Sequence, residues 1–140
     1  MLQRRLQMQI PTSRFLRRVL VADAATCLTT GFLMVLGATF LARLFGMPSE
    51  LLRFAGISLF PFTAFLIFMT SRQRLSLAVV WTVIVLNALW TADSFLIIAT
   101  GWITPTPLGY AFVTGQALGV AMFAGLEYVG LRKSAAVAMS

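Results

Sequence analysis

Histidine is absent from this 140-residue chain, cysteine occurs once, and aspartate plus glutamate total only four. The missing histidine removes the side chain that most often serves as general base, proton shuttle, metal ligand and haem ligand. A lone Cys27 rules out a disulfide, or a dithiol redox step, within one chain. The only lysine, Lys133, lies outside every long apolar stretch, so no serine, aspartate or glutamate there has a histidine or lysine base beside it. The expected inventory is therefore no catalytic residue, no metal site and no cofactor. Charge is scarce too: charged residues make up 11% of the chain and hydrophobic ones 59%. A water-soluble domain carries about 25% charged residues. With a mean hydropathy of +0.90, a soluble fold would expose apolar patches large enough to aggregate.

What is present is apolar sequence in four lengths suited to a bilayer, whose core takes about 20 residues of helix. The expected spans are about 20–44, 51–70, 75–100 and 109–131, within a transmembrane domain at 19–131. A basic tail at 1–18 precedes them, and a short tail at 132–140, polar enough for disorder, follows. In the first tail, Leu2, Leu6 and Ile10 recur at helical spacing before Pro11, which fits a short interfacial helix or a frayed tail. Pro61, near the centre of the second span, predicts a kink. Pro105 and Pro107 close the loop after the third span, and Trp102 beside them suits a membrane interface. The fold class is all-α, a four-helix transmembrane bundle.

The net charge of +7 falls at the ends of these spans, where it sets topology and does not indicate a nucleic-acid partner. Arg4, Arg5, Arg14, Arg17 and Arg18 precede span one, Arg72 and Arg74 separate spans two and three, and Arg132 and Lys133 follow span four. The alternate loops hold only Arg43 and Arg53, with Glu50 offsetting one of them. Positive charge concentrates on the cytoplasmic side, so both termini are expected inside.

Lipid tails do not drive helices together, so small residues and interhelical hydrogen bonds must. In span four, Ala111, Gly115 and Gly119 repeat at four-residue spacing, and so do Ala117, Ala121 and Gly125. Such faces can meet the rest of the bundle or a second subunit.

Ionisable groups within a membrane are candidates for function. Asp23 lies about one turn into span one, on a stripe with Thr26, Thr30 and Gly37, flanked by Cys27 and Met34. It can accept a proton or cation; the simpler reading is a water-accessible carboxylate neutralised by Arg17, Arg18, Arg72 or Arg74. Glu127 falls at a similar depth on span four, aligned with Gln116. Two carboxylates at one level can share a proton, or bind arginines and lock the bundle. Asn87 sits near the middle of span three, with Trp90, Asp93 and Ser94 following on one arc. A buried asparagine needs partners for both its carbonyl and its amide. Thr26, Thr30 and Gln116 are candidates by depth. The region reads as a ligand pocket with a tryptophan platform or as interhelical glue. Asp93, in the outer half of its helix, is expected to bridge to Arg43 or Arg53.

The run Val80-Trp81-Thr82-Val83-Ile84-Val85-Leu86-Asn87-Ala88-Leu89-Trp90, with Leu108-Gly109-Tyr110-Ala111-Phe112-Val113, Gln116-Ala117 and Glu127-Tyr128-Val129-Gly130-Leu131-Arg132, resembles a group of small bacterial four-span integral membrane proteins. That resemblance covers the four spans without the first tail and implies a bacterial source and an inner-membrane location, but no activity. The layout is also similar to DoxX-like proteins, four-span bundles linked to quinone or sulfur redox partners. Small multidrug transporters share the length and span number; their buried glutamate lies mid-membrane in the first helix, whereas Asp23 reads as nearer the edge. Two functions follow as expectations. One is a non-enzymatic membrane module, either an accessory subunit of a larger complex or a binder of a small hydrophobic molecule such as a lipid or quinone. The other is a homodimeric, proton-coupled transporter of lipophilic cations. Expected partners are membrane lipid and a larger complex or a second copy of the chain.

Overall fold

The structure, a computed structural model, describes residues 2–139. Six helices and one small ribbon follow in the order α1 (Leu2–Gln7), β1 (Gln9–Pro11), α2 (Arg14–Leu36), α3 (Ala38–Phe45), α4 (Ser49–Thr70), β2 (Arg74–Ser76), α5 (Leu77–Ala99) and α6 (Pro107–Met139). Helices α2, α4, α5 and α6 are each long and apolar enough to cross a membrane. The fold is all-α, and its frame is a four-helix bundle of the kind multi-pass membrane proteins use.

Several boundaries depart from expectation, each for a local reason. The first span starts at Arg14 because Ser13 caps it: its hydroxyl accepts from the Leu16 amide at 3.1 Å. The same span breaks at Gly37, so what reads as one stretch from 20 to 44 is α2 followed by the separate turns of α3. The first tail is not frayed. Beyond α1, its Gln9–Pro11 segment pairs antiparallel with Arg74–Ser76, with Ile10 opposite Leu75 and both buried. The loop between the second and third spans is thereby tied to the start of the chain. Arg17 strengthens the tie by donating to the carbonyls of Thr70 and Arg72. The last helix does not stop at Leu131 but continues through the expected tail, where Ser134 is buried and its hydroxyl accepts from the Ser13 amide. α4 runs unbroken through Pro61.

At the opposite end, Gly46 adopts a left-handed φ of 66° and ends α3. Thr106 then fastens the α5–α6 loop onto that end. Its amide donates to Phe45 O at 3.0 Å, its hydroxyl donates to Leu44 O at 2.8 Å, and the same hydroxyl accepts from the Gly109 amide. Gly109 is required there, since a Cβ would overlap the Phe45 carbonyl oxygen.

Packing follows two strong pairs. α2 lies along α4, and α5 lies along α6, with α2 and α6 joining the pairs through the middle. The α2–α4 approach is governed by Gly31 and Gly56: a Cβ on Gly31 would stand 3.2 Å from the Gly56 carbonyl oxygen, and a Cβ on Gly56 would stand 3.0 Å from that of Gly31. The order across the bundle is α4, α2, α6, α5, and α4 and α5 form no extended seam with each other. The bundle is thus open on one side, between the second and third membrane helices.

Candidate functional site

Two polar assemblies and one cleft occupy the interior. The first assembly joins three helices at one level. Asp23 of α2, Asn87 of α5 and Glu127 of α6 are 1%, 3% and 0% exposed. The Asn87 side-chain amide donates to Asp23 Oδ2 at 2.9 Å and to Glu127 Oε1 at 2.6 Å. The Cys27 thiol, one helical turn from Asp23, donates to Asp23 Oδ1 at 3.4 Å. The two carboxyls are thereby held side by side on one amide nitrogen. Glu127 Oε2 is the one buried side-chain oxygen or nitrogen without a hydrogen-bond partner among the described residues.

This arrangement corrects three expectations. Asp23 is not a water-reached carboxylate, because it is buried on the helix face that also buries Leu16, Leu20 and Cys27. Its partners are Cys27 and Asn87, while Arg17 is engaged with backbone carbonyls and Arg72 lies over the Phe68 ring. The buried stripe of α2 passes through Leu20, Asp23, Ala24, Cys27, Gly31 and Met34. Thr26 is exposed, and its hydroxyl folds back on the Ala22 carbonyl; Thr30 is half-buried. Neither threonine therefore meets Asn87, whose partners are the two carboxylates.

The second assembly lies one to two turns further along α5. The Trp90 indole N–H donates to Gln116 Oε1 at 2.7 Å, and Gln116 Nε2 donates to Ser94 Oγ at 2.9 Å and to the Val113 carbonyl at 2.9 Å. The Ser94 hydroxyl in turn donates to the Trp90 carbonyl. Gln116 thus serves Trp90 and Ser94 and not Asn87. Thr91 adds a further link that composition alone did not single out: its hydroxyl lies within reach of the Asn87 carbonyl on its own helix and the Ala117 carbonyl on α6.

Between α4 and α5 runs a cleft of two lobes that share Ser58 and Trp90 as walls. The inner lobe, about 220 Å³, is bounded by Cys27, Leu59, Phe62, Leu86, Asn87 and Val120. The outer lobe, about 230 Å³, is bounded by Met34, Leu51, Leu52, Phe54, Phe112 and Val113, with Asp93, Ser94 and Gln116 on its polar side. Each is larger than the roughly 150 Å³ cavity that admits a benzene-sized ligand. Phe54 and Leu86 are 73% and 43% exposed, so the cleft opens sideways, toward what would be lipid. Asp93 does not bridge to Arg43 or Arg53. It is exposed along the cleft, without a hydrogen-bonding or ionic partner among the described residues.

The small-residue face of α6 also sits differently from one of its expected uses. A Cβ built on Gly115 or Gly119 meets nothing within 4 Å, and Ala111 is exposed, so this face looks out of the bundle. Close packing between α2 and α4 belongs to Gly31 and Gly56, which no repeat advertises. The available signal was a single glycine on each of two apolar helices. No group of three or more His, Cys, Asp or Glu side chains suited to a metal occurs among the described residues. The chain matches no protein-family model, no curated protein and no solved structure.

Proposed function

We propose that this chain is a non-enzymatic membrane module that binds a small hydrophobic molecule, lipid-like or quinone-like, in the cleft between α4 and α5. The single observation behind this reading is the cleft itself: apolar walls, a lateral opening, and a short line of polar groups from Asn87 to Trp90 and Ser94 along one side. Ligand sites have this composition, with few polar groups fixing orientation in an apolar chamber. A polar head placed by Asn87 or Trp90 leaves an acyl or isoprenoid tail free to leave through the gap. The asymmetry of basic residues supports insertion with both termini in the cytoplasm, and the resemblance to small bacterial four-span proteins supports a bacterial cytoplasmic membrane.

The test is native mass spectrometry of the protein extracted from its own membrane in mild detergent. The expected spectrum shows the protomer, or a small homo-oligomer, carrying a reproducible small adduct that Ser58→Trp removes. A spectrum with other polypeptides and no adduct would replace this reading with that of an accessory subunit.

A second reading, proton-coupled transport of lipophilic cations, is favoured by Asp93, a carboxylate facing the outer lobe without a basic partner. Substrate-driven proton release that disappears in Asp23→Asn/Glu127→Gln would select it.

A further inference from the structure

We propose that Asp23 and Glu127 form a one-proton binding site, in which a single exchangeable proton bridges the two carboxyl groups. The inference needs no occupant in the cleft and stands apart from the ligand-binding reading.

The geometry carries it. Both carboxyls accept from one amide nitrogen, at 2.9 and 2.6 Å, which holds them side by side. Glu127 is fully buried and still leaves Oε2 without a partner. A buried acceptor with no donor is costly, and a donor between the two acids removes that cost. When the proton binds, an O–H bond forms on one carboxyl and donates to the other. The pair then carries one negative charge instead of two, and the Asn87 amide already solvates that charge.

Among the described residues, no basic side chain is seen to bond either acid. α2 contributes Asp23 and the Cys27 thiol, α5 contributes the neutral Asn87, and α6 contributes Glu127. α4 has no ionisable side chain between Arg53 and Arg72. The nearest arginine of α2 in sequence with a defined contact, Arg17, is held by the Thr70 and Arg72 carbonyls. A metal ion is disfavoured at the same spot, because Asn87 turns its N–H donors toward the carboxylates and not its oxygen. Hard cations such as calcium and magnesium take six or more oxygen ligands, and the two carboxyls alone fall short. The proton has a route, since Cys27 and Asn87 both touch the acids and both wall the inner lobe of the cleft.

Infrared difference spectroscopy of the full chain in lipid vesicles, titrated with base in sodium-free buffer, tests the site. The expected result is one protonated-carboxyl carbonyl band at neutral pH that is lost with release of one proton per protomer. In Asp23→Asn and in Glu127→Gln the remaining acid loses its carboxyl partner, so the band should shift in frequency and in titration midpoint in both, and stay unchanged in Glu50→Gln and Asp93→Asn. The wild-type titration needs no variant, and far-ultraviolet circular dichroism checks that each variant keeps its helices. No such band in the wild type, or a band that either Asp23→Asn or Glu127→Gln leaves unchanged in frequency and midpoint, overturns the proposal. A band abolished by adding sodium at constant pH also overturns it, by showing a metal-ion site in place of a proton site.

Discussion

The two strong helix pairs of this bundle solve one problem by different means. Along α2 and α4 the contact is apolar and close: Gly31 and Gly56 face each other, Leu52 and Leu59 are buried, and among the described residues the side-chain hydrogen bond between the two helices is at the end of the seam, from Arg17 to the Thr70 carbonyl. Along α5 and α6 the contact is a ladder of side-chain hydrogen bonds, from Asn87–Glu127 through Thr91–Ala117 and Trp90–Gln116 to Gln116–Ser94. Inside a membrane neither can lean on the hydrophobic effect, so packing depth and polar pairing are the two available sources of association. The difference also places the cleft. α4 has its glycine on the α2 side, and Asn87, Trp90 and Ser94 of α5 are engaged with α2 or α6, so no close seam joins α4 to α5.

The largest expected effect breaks the glycine seam. Gly56→Leu places a Cβ 2.9 Å from Val35 Cγ2 and 3.0 Å from both the Gly31 carbonyl oxygen and Met34 Cβ, before the rest of the side chain is added. Backbone cannot yield as a flexible side chain can. A loss of about 3 kcal/mol, the upper part of the usual overpacking range, is expected by unfolding in mixed detergent. A fully native melting curve would mean that α2 and α4 are held by something other than close approach.

Next comes the polar ladder at its three-way joint. Asn87→Leu keeps the volume but removes the only donor that reaches both Asp23 and Glu127. About 2 kcal/mol should be lost, within the range for a buried polar group left unpaired. Asn87→Gln, which keeps the amide but lengthens the arm, should recover part of it. Equal losses in both variants would show that packing and not hydrogen bonding matters at this position. Further along the ladder, Gln116→Leu removes the partner of the Trp90 indole and of Ser94, at a cost of about 1 kcal/mol typical of one interhelical hydrogen bond in a membrane. Trp90 emission should shift in the same variant, and Trp81 and Trp102 can be replaced by phenylalanine to isolate it.

How far the sequence showed this contrast depends on the kind of feature. The four membrane helices were legible because length and hydropathy determine them; Pro105 and Gly46 lie in real breaks, while Pro107 opens α6. The starts of helices were less so. Arg14 begins α2 although it is charged, because Ser13 caps it and the β1–β2 ribbon holds it, and a ribbon between residues more than sixty positions apart has no local signal. In the candidate site, Asp23 and Glu127 read as lying at one level because distances along two helices from the same end can be compared. Their connection through Asn87 did not emerge, since counting from different helix starts put Asn87 deeper. Gly31 and Gly56 were passed over because they are single. Gly115 and Gly119 drew notice through their spacing, yet spacing says only that a face is smooth and not what lies against it.

That last distinction gives the smallest effect and the sharpest control on the comparison. Gly115 sits mid-helix with nothing within 4 Å of an added Cβ, in contrast to Gly56, which touches three groups. Gly115→Ala should therefore leave protomer stability within about 0.5 kcal/mol of wild type, and the better helix propensity of alanine acts in its favour. Gly115→Leu, measured by unfolding at high detergent-to-protein ratio where protomers are separated, should be equally mild. If the leucine is mild there but lowers the melting temperature at low detergent-to-protein ratio, the outward face of α6 is covered by another chain in the assembled protein. The bundle would then use close glycine packing between chains at Gly115 as well as inside the protomer, where Gly31, Gly56, Gly109 and Gly130 supply it.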